Sequence, residues 1–384
     1  MNIAWFLVIT LLISGIQSYI FTKFGLLRLK YTRVFSKEAV FAGEEIEMVD
    51  ELVNNKLLPI PWLRLESNID RHLQFPGNQN QMTDFQREEL HRTLFSMLPF
   101  QKITRRHKVC CTKRGYYELK TVSLTLGDVL GISESFKQFD AKAVVTVYPE
   151  LTAMEDIPLP SHSWLGNIMV RRWIIEDPFV IAGAREYSYG DPLNSVNWKA
   201  TARTGQLQVR KRDYTADHHL MIYLNFDETE DIWMPIQNKA LFEKGISYAA
   251  SIANQSISNG ISTGFGCNSY LIEPFGQSTD PNVKLSVRIE PASGKQQLTY
   301  LFDTMAKLSI DRSMSFNRFL MEDMEQRNNT DILIITSTLT ENVTEKIRLL
   351  ERQGNKIELL MLTDDSDANH DKMGKGEEKD EQIS

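Results

Sequence analysis

The sequence predicts a chain of several units: an N-terminal membrane-spanning helix, an antiparallel β-sandwich-like domain, and an α/β domain built on a parallel sheet. Three observations carry this reading. An uncharged apolar run opens the chain, a period-two pattern follows to about Glu150, and from His219 onward short apolar strands alternate with amphipathic helices. A length of 384 residues gives room for all of them. With 42% hydrophobic and 24% charged residues, a wholly disordered chain is excluded.

The opening run, Ile3 to Ile20, reads IAWFLVITLLISGIQSYI, and no charge stands between Met1 and Lys23. A helix crosses a bilayer with about 20 such residues. A cleaved leader would carry a basic segment ahead of the apolar run and a small-residue cleavage site; the first is missing here and the second is poor. Lys23, Arg28, Lys30 and Arg33 follow at once. By the positive-inside rule they place the downstream chain on the cytoplasmic side. The expectation is a single-pass protein of the cell membrane, anchored by residues 1–27, with its bulk in the cytoplasm.

Residues 28–150 alternate with period two. Ile46 and Met48 alternate with Glu45 and Glu47, Leu63 and Leu65 flank Arg64, and Val122, Leu124 and Leu126 are spaced by Ser and Thr. Gly43, Asn54-Asn55, Pro59-Ile60-Pro61, Arg114-Gly115 and Gly127-Asp128 punctuate the runs as turns. The polar stretch Gln74–Asp84 reads as an exposed loop. A connecting segment, 151–215, leads to the α/β domain, 216–363. There His219–Phe226, Thr263–Cys267, Asp331–Thr336 and Lys356–Leu362 read as strands. Gln237–Ser258, Gln296–Ala306, Ser315–Gln326 and Glu341–Gln353 read as helices, with a hairpin expected in the polar excursion before Gly294. The tail, 364–384, is acidic and poor in apolar residues, which reads as disorder.

Charge narrows the function. The formal net charge is −7, and most of it belongs to the tail. This argues against nucleic-acid binding through bulk positive charge. Cys110, Cys111 and Cys267 are too few for a disulfide framework and include no CxxC pair for zinc. Gly260-Ile261-Ser262-Thr263-Gly264 matches the spacing of a nucleophile elbow, but that motif needs a strand before the serine and a helix after it. Here the order is reversed. Ser293-Gly294-Lys295 lacks the flanking residues of a phosphate-binding loop and reads as a turn.

Two segments remain as candidate sites. In Asp227-Glu228-Thr229-Glu230-Asp231, the side chains of Asp227, Thr229 and Asp231 present hard oxygens at alternating positions after a strand, a pattern suited to magnesium. A magnesium-dependent hydrolase or nuclease using Asp227 and Asp231 is the enzymatic alternative. The same run also reads as a solvated acidic loop capping a strand, which the absence of an acid from Ser337-Thr338-Leu339-Thr340 favours. The denser segment is Arg185–Asp213, REYSYGDPLNSVNWKATARTGQLQVRKRD. Arg185 and Arg203 are able to make forked bonds to Asp191 or to a partner's carboxylates. Tyr187 and Trp198 supply flat apolar area. A partner surface and an interdomain knot around a buried Trp both fit these residues.

In this segment Arg185-Glu186-Tyr187, Gly190-Asp191, Val196-Asn197-Trp198-Lys199, Ala202-Arg203 and Gly205 resemble the signature of the bacterial "domain of unknown function 58" family. Gly43-Glu44, Asn54, Pro59–Leu63, Arg114-Gly115-Tyr116, Gly127-Asp128 with Gly131, and Val147-Tyr148-Pro149 extend the resemblance in the expected order. The resemblance implies a membrane-anchored protein with an immunoglobulin-like β region and a von Willebrand factor A-like, Rossmann-type module. Such proteins look like partners of a MoxR-type AAA+ ATPase, often associated with transglutaminase-like membrane proteins; with the acidic charge and the apolar span, the expectation is a non-enzymatic scaffold or adaptor without nucleic acid and without a resident cofactor. Arg185, Tyr187, Gly190, Asp191, Trp198, Lys199 and Arg203 would form the partner-binding or interdomain surface. Family members commonly begin with two apolar helices, whereas one is evident here.

Overall fold

The computed structural model describes residues 3–75, 88–131, 133–159, 181–189, 191–212, 219–229, 234–272, 284–324, 327 and 330–363. The chain divides into two compact units, Met1–Glu150 and Leu151–Ser384.

The first unit opens with helix α1 (Ile3–Phe24), whose stretch Trp5–Phe24 is 20 residues long with a mean hydropathy of 1.7 and is almost wholly uncovered by protein. By length and composition this helix is able to cross a membrane. Two sheets follow. One holds β1 (Leu29–Phe35), β3 (Glu45–Asn54), β7 (Lys102–Cys111) and β5 (Leu73–Gln74) in that spatial order, antiparallel throughout. The other is ordered β2 (Ala39–Phe41), β9 (Glu134–Tyr148), β8 (Gly115–Gly127), β4 (Ile60–Asp70) and β6 (Glu88–Met97). Its β2–β9 pair is parallel, a departure from the expected antiparallel pattern. The three-residue strand β2 is fed by a short turn from the other sheet, so it lies along β9 in the same direction.

Alternation places one face of each sheet inward. Tyr31 and Leu52 from the first sheet meet Leu63, Leu65, Phe95 and Leu124 from the second in one buried cluster. That is the packing of a sandwich. Phe21 of α1 and Leu26 belong to the same cluster, so the last turn of the apolar helix is part of the β core. The helix end is also capped from the side. Lys56 Nζ donates to the carbonyls of Phe24 (3.3 Å), Leu27 (3.2 Å) and Gly25, at the end of the helix and in the turn that follows it. Burial lowers the Lys56 pKa to about 8.

A charged group interrupts the sandwich core. The Arg33 and Asp50 side chains are fully buried, with Nε donating to Oδ1 at 2.7 Å and Nη2 to Oδ2 at 3.2 Å. Arg33 Nη1 donates to Ser67 Oγ at 3.0 Å and Tyr31 Oη to Asp50 Oδ1 at 2.5 Å, so the pair is satisfied on several sides. Gln74, expected in a loop, is in β5, and Phe75 stacks on His91 with ring centroids 4.5 Å apart. The remainder of that expected loop lies largely outside the described residues.

In the second unit, the connecting segment has structure of its own: a hairpin of β10 (Ile181–Glu186) and β11 (Gln208–Arg212) with helix α2 (Trp198–Thr204) between them. The rest is a five-stranded sheet. Its order is β14 (Val287–Ala292), β13 (Ser262–Cys267), β12 (His219–Leu224), β15 (Asp331–Thr336) and β16 (Lys356–Met361). Four strands are parallel and β14 is antiparallel at the edge, so the sheet is mixed where a parallel one was expected. Helices α3 (Lys239–Ser258), α4 (Lys295–Lys307), α5 (Phe316–Asp323) and α6 (Glu341–Arg352) follow the expected segments within a few residues. The fully buried β15 is apolar in consecutive positions because both faces are covered. The acidic tail lies outside the described residues.

Removing one partner of the buried Arg33–Asp50 pair leaves the other charged and uncompensated. Asp50→Ala is expected to lower stability by about 3–5 kcal/mol, and Arg33→Met with Asp50→Leu to restore most of it. Urea denaturation of the detergent-solubilised protein reads both.

Candidate functional site

The hairpin of the second unit is organised by backbone and side-chain bonds rather than by a core. Tyr187 N donates to Leu207 O (3.0 Å) and Asn197 N to Gln208 O (2.7 Å), tying the long connection to β11. Asn197 Oδ1 accepts from Ala200 N, capping α2 at its start. Gly205 closes the helix in the left-handed region at φ 73°, a conformation that favours glycine. Thr201 Oγ1 accepts from Gln208 N at 3.0 Å, fastening the helix to the strand after it. Val196 and Val209, both buried, form an antiparallel bridge beneath.

Arg185 and Asp191 form the forked pair that the residue types suggested. Arg185 Nη1 and Nη2 donate to Asp191 Oδ2 and Oδ1, each at 2.7 Å. Ser188 N donates to the same carboxylate at 2.8 Å. These bonds hold the Asp191 carboxyl down at about 2, with the Arg185 hydrogen bond the largest cause. The carboxylate therefore serves the chain's own turn. Gly190 lies outside the described residues.

Trp198 stands on the outer side of its own unit. It is 69% exposed. None of the residues of α2 is buried. Lys199 and Arg203, one helical turn apart, are exposed and make no ion pair with any described residue. Leu193 and Tyr189 are exposed nearby in sequence. A seven-residue helix with no apolar face of its own is marginal in water, so its caps and the bond to Gln208 hold it. The result is a stiff, solvent-facing presentation of one Trp and two cations.

The acidic loop after β12 is arranged differently. Asp227 is buried, and both carboxylate oxygens are engaged: Asn268 Nδ2 donates to Oδ1 at 2.8 Å and Phe316 N to Oδ2 at 2.7 Å. Burial raises its pKa, opposed by those bonds and by Arg312. Asn225 Nδ2 donates to Thr336 Oγ1, Ser337 Oγ to Asp227 O and Thr338 Oγ1 to Glu228 O, joining the ends of β12 and β15. Asp227 thus faces the start of α5, and no group of three His, Cys, Asp or Glu side chains that could hold a metal occurs among the described residues. Thr229 has a partner of its own, and Asp231 lies outside the described residues. Sequence reasoning missed Asn225, Asn268 and Thr336, because a lone polar residue at a strand end looks like any loop residue. The serine of the Gly260–Gly264 motif opens β13 directly after α3, as the reversed order required.

The architecture defines a class: an apolar helix rooted in a β sandwich, followed by a mixed α/β unit with an exposed basic and aromatic hairpin. The chain belongs to the family described as "Protein of unknown function DUF58", whose model matches residues 183–382, including the hairpin and the α/β sheet. A curated relative, the "Uncharacterized protein YeaD" of Bacillus subtilis (strain 168), is 19% identical over 362 residues, covering 94% of this chain and 82% of that protein. Among solved structures, the CARDB domain of the PF1109 protein from Pyrococcus furiosus is similar over 31% of this chain and 93% of its own, at 13% identity and a TM-score of 0.21. A non-cellulosomal cohesin from Archaeoglobus fulgidus is similar over 31% of this chain and 91% of its own, at 14% identity and a TM-score of 0.19.

Asp191 supplies a pH test. Its native pKa lies below the ordinary value of 3.8, so its contribution is fully present above that value and is lost as pH falls through about 2. The carboxyl carbon shift of Asp191 is expected to titrate with a midpoint near 2, and in Arg185→Gln to move up toward 3.8. A wild-type midpoint near 3.8 would show that the pair is not formed in solution.

Proposed function

We propose that the protein is a membrane-anchored, non-enzymatic adaptor whose exposed hairpin docks a MoxR-type AAA+ ATPase. The observation that carries this is Trp198 on a capped helix, solvent-facing beside Lys199 and Arg203. Trp and Arg dominate binding energy at protein interfaces because they bury large, rigid area while keeping a polar handle. An acidic surface on the ATPase would complement the two cations. The identity of the partner comes from the family resemblance. On this reading Arg185 and Asp191 hold the turn in shape, while Trp198, Lys199 and Arg203 make the contact.

The α/β unit is read as von Willebrand factor A-like. Counted from His219, its strands run 3-2-1-4-5 with the third antiparallel at the edge, which supports a doubly wound module of that kind. Its ligand crevice would open at the ends of β12 and β15. The inward-facing Asp227 makes cation-dependent binding there a weak basis for function. Lys23, Arg28 and Lys30 support an orientation with both units in the cytoplasm.

Arg203→Glu and Trp198→Ala are each expected to weaken co-purification with the ATPase at least about tenfold, the scale of a lost interface anchor. Neither residue is buried, so the thermal midpoint should stay at the wild-type value. Retained binding in both variants would refute the docking site. Unfolding of either would return the segment to a purely structural role.

A further inference from the structure

We propose that the β sandwich of the first unit is itself seated in the lipid bilayer, through a collar of apolar loop tips around the end of α1. The inference rests on the reading of α1 as a membrane span and adds a second contact surface to it. Three loops carry the collar. Leu57 lies between β3 and β4, Leu98 and Phe100 between β6 and β7, and Val129 and Leu130 between β8 and β9. Their side chains are 77%, 67%, 69%, 61% and 55% exposed, in that order.

Each loop is bonded to the helix end or to a loop that is. Asn55 N donates to Arg28 O, and Lys56 Nζ reaches the carbonyls of Phe24 and Leu27. Phe100 N donates to Lys56 O, and Asn54 Nδ2 to Leu98 O, which brings the second loop to the first. Ser133 Oγ lies 2.6 Å from Ser18 Oγ and 3.1 Å from Thr22 Oγ1, and Ser135 Oγ donates to Thr22 O. The third loop therefore rides up the side of the helix itself.

Helix length then fixes the depth. At 1.5 Å per residue, the 20-residue apolar stretch spans roughly 30 Å, the thickness of a bilayer's hydrocarbon core, when it is used to the last turn at Phe24. Ser18 stands roughly 9 Å above Phe24 by the same rise. Were the sandwich held clear of lipid, the stretch above Ser18 would cover only about 21 Å, short of the core. The loop that grips Ser18 and Thr22 must therefore enter the membrane, and its tip residues are valine and leucine. Exposed Tyr19 and Lys23, joined by a 3.2 Å hydrogen bond, stand at the same level and suit the headgroup boundary.

The opposite end of the sandwich shows the contrast. The turns at 36–38, 42–44, 71–72 and 112–114 carry Lys37, Glu44, Arg71 and Lys113, and none of their described residues is an exposed large apolar side chain. The exposed apolar side chains Val34, Leu94 and Phe136 are on strands. Apolar loop tips gathered at one end, rooted to a spanning helix, match an interfacial membrane contact rather than scattered surface residues.

The test uses the full chain reconstituted into phosphatidylcholine–phosphatidylglycerol vesicles. An environment-sensitive fluorophore is attached at Phe100→Cys, at Leu130→Cys and, as the reference at the far end, at Lys37→Cys. Each is made in a Cys110→Ser background, Cys111 and Cys267 being buried. Quenching by a lipid nitroxide placed just below the headgroup is expected to be several-fold stronger at positions 100 and 130 than at 37, with blue-shifted emission. Quenching no stronger than at 37 overturns the collar. So does shielding of both labels from lipid nitroxide and from aqueous iodide together, which would mean that a second copy or another protein covers the face. Failure of the protein to float with the vesicles after carbonate washing would overturn the span, and the collar with it, and is read separately.

Discussion

The join between α1 and the sandwich is the constraint on which the first unit depends. One buried ammonium, Lys56, gathers the carbonyls of Phe24, Gly25 and Leu27 where the helix passes into the first strand. Phe21 from the last turn and Leu26 beyond it are counted in the same core as Leu63 and Leu124. Without those contacts the helix would be a tether that leaves the β domain free to tumble. With them, the orientation of the helix sets the orientation of the sandwich.

The same economy governs the interior polar groups. Asp50 is shared between Arg33 and Tyr31, and Asp227 between Asn268 and the first amide of α5. In each case a carboxylate in a low-dielectric setting is kept by donors that the fold brings from distant positions. Tyr223, Asp323, Arg327 and Glu290 form a third such group, with Arg327 donating to both carboxylates. These residues work for the structure. The hairpin does the reverse: its internal bonds go into turns and caps, and its Trp and two cations are left facing water.

Family membership rests on a match that covers the hairpin and the α/β sheet. The adaptor reading adds to this the outward display of Trp198, and the membrane reading adds the length of α1. The two are separable, because one concerns the second unit and the other the first.

Much of this protein was legible in the sequence, for a definite reason. Apolar periodicity is a local property, so β15 at Asp331–Thr336, the helix over Lys239–Ser258 and the apolar span each announce themselves within their own residues. The Asn197 cap and the Gly205 stop are local too, and the forked Arg185–Asp191 bond joins residues close in sequence. Pairing direction is not local. Nothing in the composition of Ala39–Phe41 or Val287–Ala292 says that one lies parallel to β9 and the other antiparallel to β13, because that depends on which strands are free at each sheet edge. Exposure is not local either. An exposed tryptophan and a buried one read alike in a sequence, and so do an aspartate facing solvent and one facing inward. Only the folded chain brings Asn268 and Phe316 to Asp227 and leaves Trp198 exposed, because both depend on residues distant in sequence.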